Sequence, residues 1–409
     1  MPAVLITGAG SGMGRAAALQ LAQLGWDCWL ADRSPAVAQV QQQCLQLGAP
    51  QAQAFQLDLC DAQARAQMCS QLPMLDALVN NAGISDSSGI ALVEQPPEQL
   101  AQLLRLNLEV PQRLFEACVP RLRPGARVVN VASGAGLKAI PWRGLYSPSK
   151  AGLIALTKGL AQAWPQFALS VLCPGFVRTE LVQGLIDSGR LVLAEAVAKI
   201  PLGRLAEPQE MAAAIVFLAQ EPARVLSGQV LSVDGGSSVY GGSRPCGLSQ
   251  MPVVEQGAAL QLQALEPGES RWSSLAVPAA QAKAVYQAVF STAACQTPGS
   301  ASLADSVLAA ARQFHAAQQR NASLLLLLPA GAANDWQYQT ELATARMLIA
   351  TLACEWGADA LRINALLVAE RTPVAAVQPL AHFLSSAQAQ FITGQTLDVS
   401  ATQGENHGH

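Results

Sequence analysis

Tyr146 and Lys150, in the stretch GLYSPSK, are the two residues of this sequence best suited to acid–base chemistry. At a spacing of four, they share one face of a helix. A phenol with its ordinary pKa of about 10 is a poor base at neutral pH, but a neighbouring ammonium favours the phenolate and lowers that pKa. The pair therefore predicts a group that takes a proton from an alcohol or gives one to a carbonyl. A tyrosine and a lysine at this spacing also form ordinary exposed helix pairs, so the prediction needs support elsewhere.

A glycine-rich turn near the N-terminus predicts a dinucleotide site. In TGAGSGMG, Thr7 and Gly8 end a short apolar run, and Gly12 and Gly14 open a stretch with helical periodicity. Glycines permit the tight turn and let main-chain amides approach a pyrophosphate at the start of the helix. Taken alone, the motif could also be a turn and nothing more.

The next apolar run ends in an acid that bears on the choice of dinucleotide. Asp32 stands where a carboxylate accepts hydrogen bonds from the adenosine ribose hydroxyls. A carboxylate there repels a 2′-phosphate, which favours NAD over NADP. Arg33 beside it could receive that phosphate and weakens the preference.

Short apolar runs that alternate with segments of helical length predict a doubly wound, Rossmann-like α/β fold with a parallel sheet. In the first half these runs lie in AVLITGAG, DCWLADRS, ALVNNAG, RVVNVASG, LSVLCPG and GQVLSVDGG. Ligands bind such sheets at the carboxyl ends of the strands. The glycine turn, Asp32 and the polar residues of NNAG and ASG all follow predicted strand ends, where a ligand would bind.

The composition excludes several classes of protein. A chain of 409 residues is long for one core, so two domains are expected, and 51% hydrophobic against 13% charged residues is typical of a well-buried globular protein. The net charge of −3 without a basic run argues against nucleic acid as a partner. Nine scattered cysteines favour free thiols in a reducing cytoplasm. No signal peptide, membrane span or metal site is expected, and the terminal NHGH is interpreted as a polar tail.

With these residues in place, the sequence from about residue 3 to residue 240 strongly resembles the short-chain dehydrogenase/reductase family. The motifs that carry the resemblance are TGxxxGxG, Asp58-Leu59, NNAG, Asn107, Ser133, Tyr146-xxx-Lys150 and PGFVRT, in that order. The resemblance implies a catalytic set of Asn107, Ser133, Tyr146 and Lys150. It also implies coenzyme contacts from Thr7, Gly8, Gly12, Met13, Gly14, Asp32, Arg33, Asp58, Leu59, Asn81, Ala82, Gly83, Tyr146, Lys150, Pro174, Gly175, Val177 and Thr179.

The resemblance also assigns roles to the catalytic set. Ser133 would hydrogen-bond the reacting oxygen, and Lys150 would hold the nicotinamide ribose. Asn107 would orient Lys150 through a water in a proton relay. Asp58 and Leu59 would flank the adenine, and the PGFVRT loop would lie over the nicotinamide.

The substrate pocket is less clearly encoded. The amphipathic stretch ELVQGLIDSGRLVLAEAVAKI after PGFVRT predicts a lid. Its residues Leu181, Leu185 and Leu191 indicate either a partly hydrophobic substrate or an apolar lid that only closes over the site. Trp142 and Arg143 would edge the pocket. Arg143 would either clamp a carboxylate or phosphate or lie solvated at the surface.

The second half resembles a worn copy of the first. When WQYQTEL is aligned with GLYSPSK, Tyr338 matches Tyr146, but Leu342 replaces Lys150; LSGQVLSVDGG likewise matches ITGQTLDVSAT. Such self-similarity predicts an internal duplication. We predict a catalytic domain at 1–241, an irregular connecting segment at 242–302 and a degenerate, non-catalytic module of the same fold at 303–409.

Together these features predict an NAD(H)-dependent oxidoreductase that interconverts a secondary alcohol and a ketone, with Tyr146 as general acid–base. One alternative is an NADPH-dependent reductase of 3-oxoacyl thioesters, against which Asp32 argues. An alternative of another class is a protein that senses NAD(H) without significant turnover, which would not need all four catalytic residues. The expected partners are a small alcohol or ketone and a second copy of the chain, in a cytoplasmic homodimer.

Overall fold

The computed structural model describes the chain apart from residues 87, 188, 190, 267, 283, 297–301 and 401–409. The chain divides into two compact units, one made of residues 1–185 with 207–232 and the other of residues 186–206 with the chain from 233 onward. The predicted domain limits at residues 241 and 302 stay predictions. Two residues of the predicted lid, 188 and 190, the side chains of Leu181 and Leu185, and the terminal NHGH lie outside the described part.

The first unit is built on a seven-stranded sheet in the order β3-β2-β1-β4-β5-β6-β7. Its described pairings are parallel, which confirms the predicted Rossmann-like sheet. The strand order reverses between β1 and β4, where a parallel sheet of this kind opens a ligand crevice. The strands are β1 (Ala3–Thr7), β2 (Asp27–Asp32), β3 (Ala52–Gln56), β4 (Leu75–Asn80), β5 (Leu122–Val131), β6 (Ala168–Pro174) and β7 (Val230–Val233).

Helices connect these strands and cover the sheet, so that its central strands are almost fully buried. The helices of the first unit are α1 (Gly12–Gln23), α2 (Ala36–Leu47), α3 (Ala62–Ser70), α4 (Pro97–Leu104), α5 (Val110–Cys118), α6 (Tyr146–Ala163), α7 (Glu180–Asp187), whose last two residues fall in the second unit, and α9 (Pro208–Leu218). The short helix α8 (Leu193–Val197) belongs to the second unit. A π-helical turn, Arg105–Glu109, separates α4 from α5. Aromatic packing joins α5 to the end of α6, since the Phe115 and Trp164 rings meet edge to face at 5.7 Å.

A buried polar chain fixes α6 on the sheet. The side-chain amide of Asn80, at the end of β4, donates to Asn130 Oδ1 at 2.7 Å, and Asn130 Nδ2 donates to Thr157 Oγ1 on α6 at 2.8 Å. Thr157 in turn donates to the Leu153 carbonyl at 2.7 Å. All three polar side chains are buried, so each of these bonds would be costly to lose. The chain therefore sets the position of the helix that begins at Tyr146.

The second unit contains a five-stranded parallel sheet in the order β12-β11-β10-β9-β8. Its strands are β8 (Ala259–Ala264), β9 (Val285–Ser291), β10 (Ala322–Pro329), β11 (Arg362–Val368) and β12 (Thr396–Asp398), and its helices are α10 (Ala293–Gln296), α11 (Leu303–Ala317), α12 (Trp336–Trp356) and α13 (Val374–Ser385). The segment 242–302, predicted to be irregular, thus holds two strands. Their short apolar runs were obscured by the prolines, glycines and serines around them.

The strands β9 to β12 follow the same spatial order as β4 to β7, and α12 follows β10 as α6 follows β5. At the start of α12, the Tyr338 hydroxyl donates to the Pro329 carbonyl at 3.0 Å, and Leu342 is buried. These features suit a structural tyrosine. The internal duplication and the degenerate character of this unit stay predictions. Among the described residues, no helix combines the length and apolarity needed to cross a bilayer.

Candidate active site

A cleft of about 600 Å³ opens in the first unit at the carboxyl ends of its strands, a volume in the usual range for ligand sites. Seventeen of the predicted site residues line it: Gly8, Gly12, Met13, Asp32, Arg33, Asp58, Leu59, Asn81, Ala82, Gly83, Ser133, Tyr146, Lys150, Pro174, Gly175, Val177 and Thr179. Thr7, Gly14 and Asn107 do not line the cleft. Each of these three instead supports residues that do.

The glycine turn after β1 has the backbone that its sequence requires. Gly8 and Gly12 adopt φ values of +66° and +53°, in the left-handed region that glycine adopts without strain. Gly14 is needed for a different reason, because a Cβ there would lie 2.2 Å from the Gly8 carbonyl oxygen and 2.5 Å from Asn81 Nδ2. The first turn of α1 therefore lies directly against the loop whose amides face the cleft.

Thr7 and Asn81 join the ends of β1 and β4 behind the cleft. Thr7 Oγ1 accepts from the main-chain amides of Asn81 at 3.0 Å and Ala82 at 3.1 Å. Asn81 Nδ2 donates to the Thr7 carbonyl at 3.0 Å and the Gly8 carbonyl at 3.1 Å. Asn81 Oδ1 is buried and has no hydrogen-bond partner in the described part of the chain. A ligand hydroxyl or amide could satisfy that acceptor.

Asp32 is held against the glycine turn. Its Oδ2 accepts from the Gly10 amide and its Oδ1 from the Ser34 amide, both at 2.8 Å. These two bonds fix the carboxylate at the cleft wall, next to Arg33. The position suits an acceptor for ribose hydroxyls.

These features fit a nicotinamide dinucleotide. The glycine turn stands at the N-terminus of α1, where main-chain amides could bind a pyrophosphate. Asp32 is placed to accept from ribose hydroxyls, and Asn81 Oδ1 lacks a partner among the described residues. Asp58 is also fixed at the cleft wall, since its Oδ1 accepts from the Cys60 amide at 2.8 Å. Bound there, the dinucleotide would supply the hydride donor or acceptor.

The candidate acid–base group lies at the first residue of α6. Ser133, which follows β5, lines the same cleft, and hydrogen bonding from its side chain lowers the pKa of Tyr146. One turn along α6, Lys150 is buried, and its Nζ donates to the Val131 carbonyl at 2.9 Å. The fold therefore brings Ser133, Tyr146 and Lys150 together at one wall of the cleft.

The prediction that Lys150 lowers the pKa of Tyr146 is wrong for the coenzyme-free protein, in which that pKa is raised. Burial raises the pKa of Tyr146, while the Ser133 hydroxyl and the Arg143 guanidinium act in the opposite direction. Burial also lowers the pKa of Lys150 to about 8. Desolvation is the largest effect on both groups, and it opposes the phenolate of Tyr146 and the ammonium of Lys150 alike.

Asn107 lies in the π-helical turn and is fully buried. Its Oδ1 accepts from the Ile84 amide and its Nδ2 donates to the Ile84 carbonyl, both at 2.9 Å. Nδ2 also donates to Ser149 Oγ at 3.1 Å. A Cβ on Gly83 would lie 3.1 Å from Asn107 Oδ1 and 3.3 Å from Lys150 Nζ, so a glycine separates the two side chains. The proposed orienting of Lys150 by Asn107 stays a prediction.

The PGFVRT loop borders the cleft and reaches the glycine turn. A Cβ on Gly12 would lie 3.3 Å from Thr179 Cγ2, so the loop closes on the start of α1. Glu180 and Val182, in the first turn of α7, also line the cleft. This places the start of the predicted lid at the site. Arg178 pairs with Glu207 at 3.3 Å and so ties the loop to the start of α9.

Sequence reasoning missed a polar cluster beside the site. Asp86 is buried, and its carboxylate accepts from the Ser88 amide and hydroxyl, each at 2.9 Å, from Gln95 Nε2 at 2.7 Å and from Gln99 Nε2 at 3.0 Å. Its main-chain carbonyl accepts from Arg143 at 3.1 Å. The only sequence signal was one acid in a polar loop, which carries no periodicity. Among the described residues, no group of His, Cys, Asp or Glu could hold a metal ion.

Comparison with known proteins places this unit among dehydrogenases and reductases. The family model described as enoyl-(acyl carrier protein) reductase matches residues 8–238. An uncharacterized short-chain type dehydrogenase/reductase from Sinorhizobium fredii is 37% identical over 206 residues, covering 50% of this chain and 35% of that protein. An uncharacterized oxidoreductase from Thermotoga maritima is 33% identical over 244 residues, covering 58% of this chain and 96% of its own length. A 3-oxoacyl-[acyl-carrier-protein] reductase from the same organism is 31% identical, with 57% and 96% covered.

Solved structures agree with the sequence matches. A candidate NAD(P)-dependent gluconate 5-dehydrogenase from Beutenbergia cavernae, with NADP bound at low occupancy, superposes with a TM-score of 0.53 at 31% identity, covering 58% of this chain and 97% of that one. A candidate 2-deoxy-D-gluconate 3-dehydrogenase from Agrobacterium tumefaciens with bound NADP gives a TM-score of 0.53 at 27% identity, covering 58% and 97%. Both matches cover little more than half of the present chain.

Proposed function

Since this chain belongs to the short-chain dehydrogenase/reductase family, we propose that it interconverts a secondary alcohol and a ketone at the Ser133–Tyr146–Lys150 site, with NAD(H) as the preferred coenzyme. The observation that carries the proposal is the placement of Ser133, Tyr146 and Lys150 together in the lining of the cleft, with Lys150 one turn after Tyr146 on α6. This arrangement provides a proton donor or acceptor at the cleft wall.

The proton and hydride balance assigns each protein group a task. In oxidation, the Tyr146 phenolate would take the hydroxyl proton of the alcohol, and the bound coenzyme would supply the hydride acceptor for its carbon-bound hydrogen, which balances the change from alcohol to ketone. Ser133 would hold the substrate oxygen beside Tyr146. Lys150 would supply positive charge on the same helix face and hold the coenzyme ribose. In reduction, the Tyr146 hydroxyl returns the proton to the forming alkoxide.

The raised pKa of Tyr146 favours one direction at neutral pH. A protonated phenol is the form that donates to a carbonyl, whereas oxidation needs the phenolate. We therefore expect ketone reduction to dominate at neutral pH and alcohol oxidation to gain rate as the pH rises toward the Tyr146 pKa.

The choice of coenzyme rests on Asp32. Its carboxylate is fixed by the Gly10 and Ser34 amides and would face the 2′-phosphate of NADP. The two negative charges would repel each other. The NADP bound to the neighbours from B. cavernae and A. tumefaciens favours NADP instead. The proposal of NAD(H) follows the residue present in this chain. Comparing kcat/KM for the two coenzymes with one substrate decides between them.

The experiment that tests the proposal replaces Tyr146 with Phe. Secondary alcohols, β-hydroxy acids and 3-oxoacyl thioesters are screened with NAD(H) and NADP(H) by absorbance at the nicotinamide band. Tyr146→Phe should lower turnover at least 100-fold and leave coenzyme affinity within a few-fold. Tyr338→Phe is the matched control, because its hydroxyl donates to a main-chain carbonyl in the second unit. Turnover that survives Tyr146→Phe would refute the assignment.

A second candidate function is reduction of a 3-oxoacyl thioester. The 3-oxoacyl-[acyl-carrier-protein] reductase relatives favour it. It uses the same acid–base group and differs only in the substrate and in a preference for NADPH. Thioester turnover with NADPH that exceeds alcohol turnover with NAD by tenfold or more would select it.

We also propose that two chains assemble into a homodimer. Two copies of one chain pair most simply through an isologous surface, which closes without further growth. Light scattering after size-exclusion chromatography should give twice the chain mass of 42.7 kDa at micromolar concentration. A mass of one chain under those conditions would exclude the dimer.

A further inference from the structure

Three acidic residues line the cleft of the first unit: Asp32, Asp58 and Glu180. The carboxylates of Asp32 and Asp58 accept hydrogen bonds from main-chain amides. The Glu180 carboxylate has no such bond among the described residues and belongs to none of the ion pairs between them. Glu180 is therefore a cleft acid whose charge no described group compensates, and neither the proton transfer nor the hydride transfer uses it.

The fold places this carboxylate beside the glycine turn. Glu180 is the first residue of α7, and the preceding Thr179 caps that helix, since its Oγ1 accepts from the Val182 amide at 3.3 Å. A Cβ on Gly12 would lie 3.3 Å from Thr179 Cγ2 and 3.9 Å from Glu180 Oε2. Gly12 is the first residue of α1. The Glu180 carboxylate thus lies at the end of α1 where a pyrophosphate would bind.

The start of α1 has no anion of its own. The side chain of Ser11, its N-cap residue, makes no capping hydrogen bond, and the first turn holds no acid, so the partial positive charge of the helix N-terminus stays available. Arg178 does not neutralise Glu180, because its guanidinium lies 3.3 Å from Glu207 Oε1 and donates to Gln183 Oε1 at 3.0 Å. Glu180 therefore acts on the same positive helix end as the pyrophosphate would.

We propose that Glu180 limits the affinity of the cleft for its coenzyme, because its carboxylate repels the pyrophosphate at the start of α1. The inference rests on the proposed function, in which the cleft takes a nicotinamide dinucleotide. It assigns a task to the first residue of the predicted lid. A repulsion of this kind acts mainly on the rate at which a ligand leaves, so Glu180 speeds the release of coenzyme after each turnover.

The test measures binding without turnover. The coenzyme-free protein is titrated calorimetrically with NADH, NAD⁺ and ADP-ribose, which all carry the pyrophosphate, at low salt and at about 1 M salt. The variants are Glu180→Gln, which removes the charge, and Glu180→Lys, which reverses it. Glu98→Gln is the matched control, because Glu98 is also an exposed acid in the first turn of a helix, α4, and does not line the cleft.

Glu180→Gln should bind all three ligands about 3- to 10-fold more tightly at low salt, because one exposed charge no longer repels those of the pyrophosphate. The NADH dissociation rate, measured by stopped flow, should fall in proportion. Glu180→Lys should bind more tightly still. At about 1 M salt, where the Debye length is about 3 Å, the gain in Glu180→Gln should shrink below about twofold. Glu98→Gln should bind as wild type does.

Equal or weaker binding of ADP-ribose by folded Glu180→Gln would overturn the inference, as would a gain that high salt leaves undiminished. A change confined to NAD⁺ would also overturn it, because the carboxylate would then act on the nicotinamide ring. If Glu180→Gln does not fold, Glu180→Lys carries the test and must bind ADP-ribose more tightly than wild type. Tighter binding in a protein that turns over no alcohol would support the role of Glu180 and refute the proposed function instead, whereas wild type that binds none of the three ligands would overturn both.

Discussion

Replacing Lys150 with Met should stabilise the coenzyme-free protein while it disables the site. Lys150 is 4% exposed, and the only hydrogen bond of its ammonium in the described structure is to the Val131 carbonyl. No carboxylate forms a salt bridge with it among the described residues. A buried, unpaired ammonium costs free energy that a methionine of similar length avoids.

The magnitude follows from the pKa of Lys150, which burial lowers from 10.5 to about 8. Each pKa unit corresponds to about 1.4 kcal/mol, so the charged form costs roughly 3 kcal/mol of unfolding free energy at pH 7. Losing the bond to the Val131 carbonyl offsets about 1 kcal/mol of the gain. A net stabilisation of about 2 kcal/mol is expected at pH 7.

The stabilisation expected from Lys150→Met depends on pH. Because the folded pKa is lower than the unfolded one, the unfolded chain binds more protons between pH 8 and 10.5. The destabilisation that Lys150 causes is therefore complete below pH 8 and disappears as the pH rises to 10.5. The advantage of Lys150→Met should shrink by about 2 kcal/mol between about pH 7 and pH 9.5.

The assay is urea unfolding of the coenzyme-free protein at both pH values, followed by tryptophan fluorescence. Lys158→Met is the control, because Lys158 is an exposed lysine on the same helix and should show no such pH-dependent difference. Alcohol turnover is measured in parallel and should collapse only in Lys150→Met. A Lys150→Met protein that is less stable than wild type at pH 7, or whose advantage is equal at both pH values, would refute the reasoning.

Three further outcomes are expected. Asp32→Ala should shift the ratio of kcat/KM for NADP over NAD upward by about 5- to 1000-fold, because a unit charge pair at about 4 Å is worth about 1 to 4 kcal/mol. The Gly10 and Ser34 amides also become free to bind phosphate. An unchanged ratio contradicts this. Gly14→Ala should weaken coenzyme binding at least tenfold in a calorimetric titration, since its Cβ would meet the Gly8 carbonyl at 2.2 Å, whereas Gly159→Ala, with nothing within 4 Å, should bind normally. Ser133→Ala removes a bond that lowers the pKa of Tyr146, so the rising limb of the oxidation profile should move to higher pH; a limb that stays in place would show that the bond does not favour the phenolate.

The sequence by itself determined those features that depend on residues close together in the chain. The alternation of apolar runs and helical segments predicted the parallel sheet of the first unit, because that pattern reflects local backbone periodicity. The glycine turn and the four-residue spacing of Tyr146 and Lys150 are local for the same reason. Strands β8 and β9 escaped prediction because their apolar runs are short and lie among prolines, glycines and serines.

Only the tertiary structure decided how the site is tuned. The pKa of Tyr146 depends on burial by several elements, and it moved in the direction opposite to the one its spacing from Lys150 suggested. Arg143 and Asp86 are 57 residues apart, yet one hydrogen bond joins them beside Tyr146. Asn107 likewise reaches Ile84 across 23 residues. Burial and long-range hydrogen bonds are properties of the assembled fold, and no local pattern in the chain encodes them.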